Sequence, residues 1–390
     1  MKRKIREVVL AIGVAALVFG SACSNGPGGT GDAGGAGGDA GADASGEPPC
    51  ELTLPGPNEE PFERLRDYCF FRGEPTEQHV EPSEGVVPYD VRSKLYSDKS
   101  DKFRFFVLPE GEKIGFDEKA VWSFPEGSVI IKTFYYPDDA RKPDEGRRLL
   151  ETRLMIKREG EWKPLVYLWD KEQTRAKKYL IGENLTVKWT DEEGKEVTTD
   201  YRVPNKNKCK SCHSKKNKIA MLGPRTRQLN RTYEFAEGKE NQLEHFEQLG
   251  LFDKEVPPVD KLDKLPDPKN ENLSLDKRAR AYLEGNCAHC HHPVGGASNS
   301  GVFFGYEQED KRKLGVCKRP VAAGDGTGGY DYDIKPGHPD QSIVIYRMKS
   351  NDPEIKMPEL PLRTVDHFGV DLMTKWIAQM KPKGCKKNGN

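Results

Sequence analysis

The chain has 390 residues, and its 62 basic and 62 acidic side chains cancel to a net charge of zero. That balance supplies no global field for nucleic acid or for an acidic membrane surface. A charged content of 32% with 28 prolines describes a soluble, loop-rich protein, long enough for two cored domains.

The amino terminus reads as an export signal. Lys2, Arg3, Lys4 and Arg6 are basic, and the apolar run from Val8 to Phe19 is too short to span a bilayer. Gly20-Ser21-Ala22-Cys23 resembles the lipobox of bacterial lipoproteins, with 1–22 as signal peptide and Cys23 as the lipidated first residue of the mature chain. An ordinary cleaved signal is the alternative. The resemblance implies a periplasm-facing protein tied to a membrane through its N-terminal lipid, and Ser24 after the cysteine favours the outer membrane. Residues 23–49 are almost wholly Gly, Ala, Asp, Ser and Pro. Such a segment cannot bury a core and serves as a disordered tether.

Residues 50–268 are expected to form a β-rich domain with trailing helices, and from about Cys50 to Val203 they carry a period-two pattern. Ser128 to Tyr136 is rich in β-branched and aromatic residues and is ended by Pro137. Leu149 to Lys157 and Trp162 to Trp169 follow as strands joined by the Glu159-Gly160-Glu161 turn. Leu185 to Trp189 and Val197 to Val203 read as a hairpin around Glu193-Gly194. The expected result is a mainly antiparallel sheet. Beyond it, Asn241 to Leu249 sets Leu243, Phe246 and Leu249 on one helical face. A proline-punctuated linker from Val256 to Pro268 then leads to 269–390. There Ser274 can cap a helix carrying Leu275, Ala279, Tyr282 and Leu283. Leu372, Met373, Trp376, Ile377 and Met380 form a second apolar stripe near the end.

Two pentapeptides interrupt this pattern: Cys209-Lys-Ser-Cys212-His213 and Cys287-Ala-His-Cys290-His291. Two thiols one helical turn apart can form thioethers to both vinyl groups of a haem. The adjacent imidazole then becomes the proximal iron ligand. A zinc half-site, a dithiol centre or a disulfide staple are the alternatives. Paired zinc knuckles lie much closer in sequence than these two motifs. A thioredoxin-like centre needs a hydrophobic strand leading in, whereas Pro204 to Lys208 is polar. Two covalently bound haem c groups are therefore expected, on His213 and His291.

Setting aside Cys23 and the four motif thiols leaves Cys50, Cys69, Cys317 and Cys385. An even remainder in an oxidising compartment suggests two disulfides. Three pairings are open, and sequence proximity favours Cys50–Cys69 with Cys317–Cys385. For the first haem, Met221 or His245 could supply the sixth ligand, or the site could be open. Lysines 206, 208, 210, 215, 216 and 218 surround this motif, as a solvated loop or as a docking patch for an acidic redox partner.

The chain is similar to a family of bacterial diheme c-type cytochromes. The likeness rests on Pro88-Tyr-Asp-Val, Phe124-Pro-Glu-Gly-Ser-Val-Ile-Ile-Lys132 through Pro137, Glu151-Thr-Arg-Leu, Val203-Pro-Asn, both cysteine motifs, Pro320-Val-Ala-Ala-Gly and Pro336-Gly-His-Pro-Asp340. It implies a redox protein of the cell envelope. The stretch 269–390 resembles class I cytochromes c, which implies an all-α domain whose second haem takes Met357, in Met357-Pro358, as sixth ligand. Met348, Met373 or Met380 could take that place instead. The β-rich part has a weaker likeness to cytochrome P-460, in which a lysine is cross-linked to haem, and Lys132 is the residue to suspect. The fold expected is thus α+β, a mainly antiparallel β domain ending in a haem motif and then an all-α class I cytochrome c domain. The function expected is electron transfer between a redox donor and an acceptor in the envelope. The alternative is catalysis at an open first haem fed by the second, in a P-460-like or peroxidase-like manner. An interaction module using haem as a staple is a third reading.

Overall fold

The computed structural model describes residues 50–56, 58–72, 80–215, 218–321, 323–382 and 384–385. The export signal, Cys23 and the tether of residues 23–49 lie outside them. All described residues belong to one compact unit. No helix among them is long and apolar enough to cross a membrane.

The body is an antiparallel six-stranded sheet in the order β1 (Val86–Pro88), β2 (Asp101–Val107), β3 (Val129–Pro137), β4 (Arg147–Arg158), β5 (Glu161–Trp169) and β6 (Ala176–Lys178). Sequence neighbours pair throughout, so the sheet is a meander. The β4–β5 connection is as short as the sequence predicts, with Glu159 at φ 55° and Gly160 at φ 70°. Two left-handed residues in succession give the turn twist that matches the strands. A separate hairpin, β7 (Glu183–Thr190) and β8 (Glu196–Val203), follows.

Alternation sorts the side chains of β3 onto two faces. Val129, Ile131 and Tyr135 join one core with Tyr68, Phe70 and Trp169. On the other face Ile130 packs with Phe106, Met155 and Phe246, while Phe134 packs with Trp189 and Tyr201 of the hairpin. Lys132 falls between those two apolar clusters.

After β8 come α1 (Lys206–Cys212), the two-residue strands β9 (Ser214–Lys215) and β10 (Lys218–Ile219), α2 (Thr226–Leu229), the hairpin β11 (Thr232–Phe235) and β12 (Gly238–Asn241), and α3 (Gln242–Gln248). The rest of the chain holds α4 (Leu275–Asn286), α5 (Ile343–Met348) and α6 (His367–Ala378). Ser274 does cap α4, accepting the Lys277 N–H at 3.4 Å.

The expected all-α class I cytochrome c domain is not present. Three short helices stand in a segment that is mostly turns and loops, and it belongs to the same compact unit as the sheet. The stretch between α4 and α5 is punctuated by Pro293, Gly295, Gly296, Gly301, Gly315, Pro336 and Gly337, none of which lets a helix propagate. What ordered pairing it has is single bridges, Val316 to Ile334 and Tyr332 to Ser342. The architecture is a large antiparallel sheet decorated with short helices.

Two glycines set how these parts meet. A Cβ on Gly369 of α6 would collide with the Tyr282 ring and hydroxyl of α4, so only glycine permits that approach. A Cβ on Gly285 would lie 2.9 Å from the Ser93 carbonyl oxygen, which ties α4 to the strand-rich half. Asn286 reinforces the junction by accepting the Tyr96 N–H at 2.8 Å.

Candidate cofactor site

Asn205 starts α1, its side chain accepting the Lys208 N–H at 3.1 Å. The polar run before Cys209 is therefore a helix cap and first turn rather than a loop. Cys209 and Cys212 consequently share one helical face. His213 ends the helix, and the pairing of β10 with β9 brings Ala220 back to it. The Ala220 N–H reaches the His213 carbonyl at 2.8 Å, and His213 Nδ1 lies 3.0 Å from the Ala220 carbonyl.

The second motif is built alike from a different helix. Cys287 ends α4, and the N–H groups of Cys290 and His291 donate back to its carbonyl at 3.1 and 3.0 Å. His291 Nδ1 lies 3.2 Å from the Val302 carbonyl and 3.3 Å from Ser300 Oγ. The Phe304 N–H holds the His291 carbonyl at 3.0 Å.

A carbonyl oxygen only accepts, so in both histidines Nδ1 carries the proton and Nε2 keeps its lone pair. Orienting an imidazole through its second nitrogen is the usual support for a metal-ligating histidine. Burial pushes both imidazoles down to about 4, so they are neutral at ordinary pH.

The fold also brings the motifs to one another. Ligand atoms of Cys212, His289 and Cys290 lie within 4.8 Å of one another. The hydrogen bond between the Cys212 and Cys290 thiols raises the first and lowers the second. Burial, with the nearby Asp366 carboxylate, raises Cys287 to about 12.

A cavity of about 470 Å³ opens between the sheet and the motifs, within the range of cofactor sites. Cys209, Cys212 and His213 line it, as do Ala288, His289 and Met221. Its floor is the charged part of the sheet. Arg104 of β2, Lys132 of β3 and Arg153 of β4 are direct cross-strand partners, and all three line the cavity. Arg104 is held by Asp90 at 2.7 Å, and Arg153 Nε by Glu151 at 2.8 Å. Glu151 is fully buried and also accepts the Tyr201 hydroxyl at 2.6 Å. Loss of solvent, with repulsion from the two guanidinium groups, brings Lys132 down to about 7.

Met221, one of the two sixth-ligand candidates for the first motif, lines this cavity. His245 does not: it is bonded to Glu240 and stacked on Phe235 at 3.7 Å between ring centres. Met357 lines a small space of about 20 Å³ beside Tyr282, Asn286 and Met348, close to the end of α4. Met373 is fully buried in the α4–α6 core, and Met380 packs against that core. The remaining cysteines form two disulfides, Cys50–Cys69 and Cys317–Cys385. Of the lysines near the first motif, Lys218 lies 3.5 Å from Glu161 and Lys208 lines the cavity mouth, while Lys216 lies outside the described residues.

Comparison with known proteins matched no family model, no curated protein and no solved structure.

The donor set suits haem at both motifs: two thiols and a histidine whose second nitrogen is tied down. The cavity volume suits it at the first, while the space beside Met357 is only about 20 Å³. Sequence reasoning missed Arg104, Arg153, Glu151 and Tyr201. The signal was there, in charges at alternate positions of apolar strands: Lys102 and Arg104, then Glu151 and Arg153.

Proposed function

We propose that the chain is a diheme c-type cytochrome that carries electrons between redox partners of the cell envelope. The observation that carries this reading is the paired arrangement of His213 and His291, each with Nδ1 committed to a backbone carbonyl and Nε2 left for a metal. Cys209 and Cys212 would hold one haem and Cys287 and Cys290 the other, with Met357 as sixth ligand of the second. Bound haem would supply a one-electron ferric–ferrous couple. The residues of the chain orient the imidazoles through Ala220 and Val302 and keep water from the inner side through the two apolar clusters on the sheet. An envelope location is supported by the two disulfides, which persist in oxidising compartments, and by the export signal with Cys23.

A second reading, an oxidoreductase working at the first haem, is favoured by the size of the cavity there and by Lys132. Among the described residues no hydrogen-bond or ion-pair partner reaches that amine.

Mass spectrometry of exported protein, with metal analysis and a pyridine haemochrome assay, tests the common core of both readings. Two added macrocycles and two irons are expected. Zinc bound by Cys212, His289 and Cys290, with no added mass, would overturn both. Carbon monoxide added to the reduced protein then separates them: no spectral change supports the carrier, and a shift in half the haem supports the oxidoreductase. Met357→Ala should lower the potential of one haem, since a thioether favours the ferrous state. An unchanged potential removes Met357 as ligand.

A further inference from the structure

The cation row on the cavity floor has no role in holding the thiols or the histidines. Residues directly opposite on adjacent strands stand about 4.5–5.5 Å apart at Cβ, and like charges so placed destabilise a sheet. Arg104, Lys132 and Arg153 are three such residues in a line. Two carboxylates answer them: Asp90, shared by Arg104 at 2.7 Å and Arg231 at 2.8 Å, and Glu151, which serves Arg153. The central amine is left over. Lys102, on the same face two residues before Arg104, is a further buried amine, donating to the Leu95 carbonyl at 2.8 Å. The apolar clusters on either side keep the effective dielectric low, so an anion entering the cavity would feel this field strongly. The two arginines also have donors to spare after binding their carboxylates.

We propose that Arg104, Lys132 and Arg153 form an anion seat for a carboxylate or small oxyanion, with Lys132 at its centre. Two sources share that chemistry. One is the propionate edge of a haem on Cys209 and Cys212, and this arm rests on the functional reading given above. The other is a free oxyanion drawn into the cavity, and this arm does not need haem. In either case Lys132 makes the central charge-assisted contact.

The test uses exported, fully loaded protein, Lys132→Met and Lys132→Arg, with inorganic phosphate as probe at low ionic strength. For a diffusible anion, calorimetry should detect phosphate binding in the native protein. Lys132→Met should weaken it about tenfold or more, the usual cost of one charge-assisted contact, and Lys132→Arg should restore most of it. For a propionate seat, phosphate should not bind. Lys132→Met should then shift the propionate bending band in the resonance Raman spectrum and lower one of the two midpoint potentials, with Lys132→Arg close to native. Phosphate binding equal in native protein and Lys132→Met overturns the proposal. So does an absence of binding together with an unchanged Raman band. Loss of the functional reading is told apart by haem content: a haem-free protein still reports on the seat through phosphate. Lys132→Gln serves as second variant should Lys132→Met fail to accumulate.

Discussion

Replacing Glu151 by glutamine isolates what the buried carboxylate does for the cavity floor. Glu151 has no exposed surface, and its two oxygens take Arg153 Nε at 2.8 Å, Arg153 Nη2 at 2.5 Å and the Tyr201 hydroxyl at 2.6 Å. Glutamine keeps the shape but loses the charge, and its NH₂ group must face donors where an oxygen accepted. Breaking a buried ion pair by removing one partner costs about 3–5 kcal/mol, because the other charge stays behind uncompensated. Arg153 keeps 31% of its side chain exposed toward the cavity, and it stacks on Phe134 at 4.1 Å, so part of that cost is relieved. The expected loss is about 2–4 kcal/mol. For a chain of this size that lowers the melting temperature by roughly 3–6 °C. The assay is equilibrium denaturation with the disulfides intact. Glu151→Gln with Arg153→Met should recover much of the loss, since the orphaned charge is gone. A Glu151→Gln variant within about 1 kcal/mol of native, or a double variant worse than the sum of its parts, refutes the reasoning.

Asp98 offers a test by pH. Its carboxylate accepts the Thr364 N–H and hydroxyl, both at 2.8 Å, and the Arg363 N–H at 2.9 Å, while burial raises its pKa above 3.8. A raised folded pKa means that the native state holds the proton more tightly, so this group's contribution falls as pH climbs through the window just above 3.8. Denaturation across pH should show native stability minus that of Asp98→Asn declining over that window, and a rising difference refutes the assignment. Gly369→Ala should cost about 1–3 kcal/mol, because the new methyl meets the Tyr282 ring of α4 and the helical gain from alanine offsets little of it. A thermal melt indistinguishable from native would show that α6 can shift away from α4 without loss.

The parts legible in the sequence are those governed by short-range rules. The turn at Glu159-Gly160 and the hairpin at Gly194 follow from residues that tolerate positive φ, and β3, β4 and β5 follow from period-two patterning. Strand β2 escaped notice although Lys102 and Arg104 alternate with Phe103 and Phe105, because such an alternation reads locally as a solvated face. Both charges are buried rather than solvated, Arg104 at the cavity, a tertiary fact invisible locally. The polar run before Cys209 looked like a loop, yet Asn205 caps a helix there. The all-α expectation failed because two real helices, α4 and α6, were extrapolated across a glycine- and proline-rich stretch that cannot continue them. The convergence of Cys212 with Cys290 lay beyond sequence altogether, since it depends on Gly285 letting α4 approach Ser93.

That convergence constrains every functional reading. Ligand atoms from two motifs 78 positions apart in sequence come within 4.8 Å because α1 hangs from the end of β8 while α4 docks on the strand-rich half through Gly285 and Asn286. Groups attached at Cys212 and Cys290 would therefore be held near one another inside one compact unit. The charge state of one would then be felt by the other through a low-dielectric gap, where like charges a few ångströms apart interact far more strongly than in water. Two such centres would titrate as a coupled pair, with apparent potentials belonging to both. Under the proposed function, a relay built this way would pass electrons through a fixed contact, and the cation row beneath the first site would add a positive field favouring the reduced state there.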